Sequence, residues 1–523
     1  MNENRVRIEE LLYYVFLLLM MGAKGIGLTG GQKVFTLCSI TAYCFIGIKM
    51  LITEYSVKEW CINAGLLLMA ILIKCSSGES AAIAAVLMII GMKNISLLKA
   101  MKAAFFIWGG TFVFSIIRGL AGLGDGVIVV HQKLGLGPII RYSLGYTHPN
   151  VLHVTYFILV MLFLYVFQFK SKKLWLMVSI LFGGNIYIFL YSISYTGFII
   201  VTVYLCFMLY LDARIKLSYA EKRIIECFAP LCILFPIAGP FVIKGNLFNI
   251  LNKLLSTRFH LVYYFFTNFK PSLFGTKTIT PTDAHLTLDS SFAYLLMYYG
   301  IIAFIVMVIL YLMTIHKYLR ENQYKETAIM VCTALAGVTE QFLFNLSFKN
   351  ITFMCIGDYL FNYLLTKEKG GIWNKRFSFI HLNKFSISIP VRKVQQGVVW
   401  ECIKQVRWKC CILTGVIVAI SFLLIFLSFW KIPEQVYVNR GLTEYEGEYF
   451  VADESGEWKK DNSIYIGNMQ PGEKIYEFQG NIIKMECIRG GVSSFVWGGL
   501  IGSFISVLFE GRRYWGLKKK GCE

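Results

Sequence analysis

Residues 290–316 read SSFAYLLMYYGIIAFIVMVILYLMTIH, 27 positions without a single Asp, Glu, Lys or Arg. An α-helix rises about 1.5 Å per residue and a bilayer's hydrocarbon core is about 30 Å thick, so roughly 20 apolar residues cross it. This stretch is long enough, and it is not alone. Comparable blocks lie at 9–27, 34–52, 99–120, 149–168, 173–191, 194–211, 223–243, 327–346, 350–366, 410–430 and 492–510. A short pair, 59–75 and 79–92, turns at Ser76-Ser-Gly-Glu79. Together these predict 14 spans and an all-α polytopic membrane protein. Composition agrees: of 523 residues, 56% are hydrophobic and only 16% charged, with a mean hydropathy of +0.60. A soluble chain of this length needs far more polar surface.

Lys and Arg set the expected orientation. With the N-terminus inside, the inner segments hold 32 of the 51 basic residues and the outer ones 17; Lys74 and Arg118 fall within spans. This bias follows the positive-inside rule and places both termini in the cytoplasm. The net charge of +20 is then an orientation and anionic-lipid signal. Its spread over many short loops argues against a nucleic-acid partner. No small-residue cleavage site follows the first apolar run, so no signal peptide is expected. The 14 cysteines contain no CxxC pair and mostly sit within spans as small apolar filler.

Three parts follow from these boundaries. Residues 1–366 form a membrane core of about 12 helices. Residues 367–409 form a basic cytoplasmic linker whose aromatics, among them Trp373, Phe377 and Phe379, suit the inner leaflet. Residues 410–523 form a two-span unit that carries an extracellular insert at about 431–490. The insert alternates β-prone runs at Gln435, Tyr449, Ser463 and Ile475 with turn signals, the pattern of a small β domain.

Long loops in a compact protein are usually functional, and two outer loops stand out. The first, 121–148, carries Arg141 and His148 and leads to Asn150; Arg118 lies just before it. The second, 244–289, carries Arg258, Lys277, His285 and Asp289, and Leu251 to Phe269 reads as one amphipathic helix across the outer mouth. A cationic outer cavity suits a pyrophosphate headgroup, because Arg offers a planar fork to phosphate oxygens and Lys a point charge. Arg258, Arg141, Lys277 and Arg118 are the candidate donor-binding residues. Lone interfacial Lys and Arg residues often only snorkel to lipid phosphates. His148, His285 and Asp289 are the catalytic candidates. Glu79, Asn150, Tyr294 and Glu340 are acceptor-side or structural candidates. Ser194, Thr196 and Gly197, at a helix start after a tight turn, read as packing. No DxD or other metal-ligand cluster occurs outside, so neither a metal nor another cofactor is expected.

The string Arg141-Tyr-Ser-Leu-Gly-Tyr-Thr-His-Pro-Asn150 resembles the segment before a central helix in Gram-positive polysaccharide polymerases of the O-antigen polymerase (Wzy-type) family. Ser194-Tyr-Thr-Gly197 is similar to that family's short Thr-Gly turn. Ser256-Thr-Arg258, Leu273-Phe-Gly275 and Asp289-Ser-Ser-Phe-Ala-Tyr294 resemble its large outer loop and following helix. Glu340, with Asn345 and Asn350, resembles its late-helix pattern. The likeness covers residues 1–366 and leaves 410–523 outside. It implies a GT-C-like core that joins oligosaccharide repeat units carried on undecaprenyl pyrophosphate, with a flippase and a chain-length regulator as expected partners. An O-antigen-type ligase, with the same chemistry and another acceptor, is the nearest alternative. A lipid-linked oligosaccharide flippase or other transporter is the next. The 410–523 unit is expected to be accessory, since its insert has 11 acidic and 7 basic residues and a negative surface repels a pyrophosphate. It would bind the growing glycan through Tyr and Trp458, contact a chain-length regulator, or buttress the outer mouth.

Overall fold

The computed structural model describes residues 5–28, 30–121, 123, 128–133, 137–278, 286–345, 348–365, 375–380, 386–388, 407–430, 435–438, 449–451, 463–466, 474–478 and 481–520. They form the helices α1 (Ile8–Gly25), α2 (Lys33–Ile52), α3 (Val57–Ser77), α4 (Ala81–Ile90), α5 (Leu97–Leu120), α6 (Pro149–Phe167), α7 (Ser171–Ser192), α8 (Tyr195–Asp212), α9 (Tyr219–Val242), α10 (Gly245–Leu254), α11 (Arg258–Asn268), α12 (Ser291–Tyr294), α13 (Gly300–Arg320), α14 (Tyr324–Gly337), α15 (Thr352–Tyr359), α16 (Trp408–Phe429) and α17 (Asn481–Lys520). A π-helical turn, Leu295–Tyr299, joins α12 to α13. Ten helices among the described residues are long and apolar enough to cross a bilayer: α2, α3, α5 to α9, Ser291–Arg320, α16, and Ile482–Glu510 of α17. The chain is a multi-pass membrane protein. In α6, 67% of the span is buried inside the protein, against 11–39% in the others, so α6 is the inner helix that its neighbours shield from lipid.

Four of the expected spans come out differently. The 79–92 block yields only the ten residues of α4. The 327–346 block gives an α-helix that stops at Gly337, and the 350–366 block gives α15 plus a π turn, Leu360–Leu364. α1 is 18 residues long but carries Glu9, Glu10 and Lys24. Between Gly337 and Thr352 the described backbone is irregular apart from a 3₁₀ turn, Gln341–Leu343. Backbone that leaves a helix inside the protein persists only where its polar groups find partners. Asn350 does this: its Nδ2 donates to the Leu343 carbonyl at 3.0 Å, and its Oδ1 accepts from Thr352 N at 3.0 Å.

The expected single helix over Leu251–Phe269 is two helices. Ser256 and Thr257 both adopt left-handed backbone (φ 52° and 67°), and Thr257 N closes the turn on the Asn252 carbonyl at 2.8 Å. α10 keeps the strongly one-sided apolar pattern and buries no residue, whereas α11 buries Arg258, Phe259, Val262 and Phe265.

The chain groups into two compact units. One holds 1–124, 150–189 and 194–388; the other holds 125–149, 190–193 and 389–523. In the first, one end of the bundle is tied by polar side chains. Lys93 pairs with Glu59, both almost fully buried, while Lys49 Nζ donates to the Lys93 carbonyl at 3.0 Å. Thr53 and Asn94 both donate to the Glu9 carboxylate, at 3.2 and 3.3 Å. Short strands of the linker join the same unit: β1 (Arg5–Arg7) pairs with β6 (Ser386–Ser388), and β2 (Tyr55–Ser56) with β5 (Arg376–Phe377). Phe377 and Phe379 pack on Trp60, with ring centroids 6.1 and 5.2 Å away.

The second unit holds a hairpin that the sequence reading leaves as a loop, β3 (Ile128–Lys133) against β4 (Gly137–Tyr142). It also holds α16 packed on α17. Close approach there uses glycines: a Cβ on Gly415 would lie 2.1 Å from Ser503 Oγ. Strands β7 (Gln435–Val438), β8 (Tyr449–Val451), β9 (Ser463–Ile466) and β10 (Lys474–Phe478) form over the four β-prone runs. They make one sheet of order β8-β10-β7-β9, with β7 and β9 parallel.

Candidate functional site

The first unit gathers four chain segments around Arg258. The left-handed pair Ser256-Thr257 ends one helix and starts the next, so Arg258 enters as the first residue of α11, 7% exposed. Its Nε donates to the Thr339 carbonyl at 2.5 Å, and its Nη1 to the Leu255 carbonyl at 3.0 Å. Its Nη2 lies 3.6 Å from Asp289 Oδ2 and 3.5 Å from Glu340 Oε1. A buried cation facing two carboxylates is a stable arrangement only because the remaining polar atoms also find partners.

Those partners come from α8 and the α12 start. Thr196 Oγ1 donates to Glu340 Oε1 at 2.8 Å. Ser291 Oγ donates to the Glu340 carbonyl and accepts from Leu343 N at 3.3 Å. Thr287 Oγ1 donates to Asp289 Oδ1 at 3.0 Å. The Glu340 side chain is 11% exposed and that of Asp289 30%. The cluster therefore presents one carboxylate to the surroundings and keeps the other inside. Thr196 is held in place by its neighbourhood. Ser194 Oγ caps α8 on Gly197 N, and a Cβ on Gly197 would strike the His153 ring at 2.6 Å. His153 itself is buried and bonds Asn185 Oδ1 at 2.7 Å.

A second lock sits at Gly275. Its φ is 92° and a Cβ there would lie 2.0 Å from the Tyr298 carbonyl oxygen. Ser76 and Ser272 both donate to the Gly275 carbonyl, at 2.6 and 2.8 Å. Thr276 N donates to the Met297 carbonyl, which the π-helical turn leaves available, at 2.8 Å. This fixes the loop that leads to Lys277 against the helix following Asp289. Glu79 bonds the Tyr294 hydroxyl on the same helix.

The sequence candidates thus separate. Arg258, Asp289 and Glu340 come together. Glu79 and Tyr294 form a pair of their own. Lys277 is exposed, as are Lys253 and Lys270 on the same segment, and His148 is exposed just before α6. Asn150 lies in the first turn of α6 and Arg118 in the last turn of α5, both half-buried. Arg141 belongs to the second unit; it is 3% exposed and its Nε donates to the Ser192 carbonyl at 2.7 Å. His285 lies outside the described residues.

Sequence reasoning assigned Thr196 to packing and passed over Ser291, Thr339 and Lys349. Thr196 had one legible signal, a hydroxyl at the mouth of a helix. Lys349 had another, a lone lysine between two apolar blocks. It is 5% exposed.

The fold and this cluster define a multi-pass membrane protein with a buried Arg–carboxylate centre at the junction of a loop and three helices. No family model, no curated protein and no solved structure matches the chain.

Proposed function

We propose that the chain is a membrane glycosyltransferase, built on a GT-C-like core, that polymerises undecaprenyl-pyrophosphate-linked oligosaccharide repeat units at the outer face of the cell membrane. The product is a capsular, exo- or cell-wall polysaccharide. Both termini are cytoplasmic in this reading, which follows the Lys and Arg bias of the loops. The observation that carries the reading is the cluster of Arg258, Asp289, Glu340 and Thr196. A buried arginine that faces two carboxylates is costly to assemble, and such clusters of charge are candidates for functional sites.

In this reaction the acceptor sugar's hydroxyl attacks the anomeric carbon of the donor's reducing-end sugar. The bond from that carbon to the pyrophosphate oxygen breaks, and its electron pair leaves with the pyrophosphate. Asp289, the more open carboxylate, takes the hydroxyl proton. Arg258 is committed to two carbonyls and two carboxylates, so its part here is to hold the base in place. The exposed Lys253, Lys270 and Lys277 meet the phosphates and neutralise the charge that develops on the leaving group. The resemblance of the Arg141, Ser194, Ser256 and Asp289 segments to Wzy-type polymerases supports the same assignment.

Cells lacking the protein should accumulate single-unit lipid-linked oligosaccharide on the outer leaflet and make no long glycan. Units trapped on the inner leaflet would instead show a flippase. Long lipid-linked polymer that never reaches its final acceptor would show a ligase.

A further inference from the structure

The second unit contains a network that the proposed chemistry does not use. Arg489 of α17 is 4% exposed. Its Nε donates to the Leu190 carbonyl at 2.9 Å, at the end of α7, and its Nη2 donates to the Ile140 carbonyl at 3.0 Å, in β4. Its Nη1 pairs with Glu486 one turn earlier. The guanidinium carbon lies 4.5 Å from the Tyr142 ring centroid and 5.6 Å from that of Tyr191. The rings bond back to the same helix: Tyr142 OH donates to Glu486 Oε2 at 3.1 Å, and Tyr191 OH shares a 2.5 Å hydrogen bond with Ser493 Oγ. Arg141, between Ile140 and Tyr142, adds its own bond to the Ser192 carbonyl.

One planar cation thus joins three segments: β4, the last turn of α7, and α17. Only a guanidinium has the donors to reach two carbonyls and a carboxylate while stacking on two rings; an ammonium is a single point. The turn it secures is strained. Ile193, a β-branched residue, has φ 40°, a conformation that persists only where the surroundings over-determine it.

We infer that Arg489 is a positioning residue that fixes the hairpin bearing Arg141 and the end of α7 in one arrangement, so that the C-terminal helix serves as the frame of the loop that carries Arg141. The inference rests on the proposed function only in expecting polymer output to fall when this hairpin is released. It assigns the unit beyond the sequence likeness to buttressing that loop, in preference to glycan or regulator binding.

The test uses the full chain in lipid nanodiscs. In Arg489→Ala, hydrogen exchange of amides 139–142 and 190–193 should accelerate at least about tenfold, as for a locally released segment, with amides in α13 unchanged. Polymer output at equal protein should fall at least about tenfold, and adding Arg141→Ala should cost less than about twofold more, since coupled residues are not additive. Arg489→Lys should recover only part of both readouts. If Arg489→Ala does not accumulate, Tyr191→Phe and Glu486→Gln, each cutting one bond of the network, should show smaller shifts in the same amides. Unchanged exchange, or fully additive activity losses, would overturn the positioning role. A wild-type protein without polymerase activity would sink the proposed function, while the exchange data would still decide the clamp.

Discussion

Replacing Arg258 by Ala removes the cation at the centre of the buried cluster. Two carbonyl acceptors, Thr339 and Leu255, lose a charged donor, at about 1–3 kcal/mol each when buried. Glu340 and Asp289 lose their shared counter-charge. The Glu340 share is large, because breaking a buried pair costs about 3–5 kcal/mol; the Asp289 share is smaller, since at 30% exposure water screens it. These terms overlap, and a total of about 4 kcal/mol is expected. Arg258→Lys keeps the charge but not the fork, and should lose about half of that. Equilibrium unfolding in mixed micelles measures the stability, and polymer output at matched protein amount measures the chemistry. Asp289→Asn is the contrasting variant: stability should move by less than about 1 kcal/mol, while polymerisation is lost. An Arg258→Ala protein within about 0.5 kcal/mol of wild type would refute the idea that this arginine holds the carboxylates.

Three further outcomes are expected. Gly275→Ala should destabilise the loop carrying Lys277, because φ 92° and a Cβ 2.0 Å from the Tyr298 carbonyl leave the methyl no room; faster hydrogen exchange of amides 272–278 reports it, and unchanged exchange would contradict the lock. Lys349→Met should raise the melting temperature, because the lysine is 5% exposed and burying its amine costs more than burying a thioether; an unchanged or lower melting temperature would argue against it. In a cysteine-free background, an impermeant thiol reagent applied from outside should label Lys277→Cys and spare Ile380→Cys, and the reverse pattern would invert the topology.

The long apolar helices were legible because composition alone decides them: 290–316 and 410–430 leave no alternative to a span. The 327–346 block was not legible in the same way. Its hydropathy is that of a span, but Gly337, where a Cβ would hit Leu343 and Phe292, lets the chain leave the helix, and Asn350 satisfies the backbone that results. Side-chain hydrogen bonds of this sort have no signature in a hydropathy window. The break at Ser256-Thr257 was hidden for a related reason, since neither residue type advertises left-handed backbone. At the site, Arg258, Asp289 and Glu340 stood out singly as charges among apolar residues. That they converge could not be read, because convergence depends on the turn geometry at 256–257 and 338–343. Thr196 stayed hidden because its hydroxyl has meaning only beside Glu340. Arg489 stayed hidden because its partners lie in two segments hundreds of residues upstream.

That separation matters during synthesis. Ile140 leaves the ribosome 349 residues before Arg489, about 20–70 s earlier at ordinary elongation rates of about 5–20 residues per second. Through that interval the side chain that ties the hairpin to the end of α7 does not yet exist. The final helix therefore closes a gap left open since early in translation. The tie between the hairpin and the end of α7 can form only once the C-terminal helix has been made.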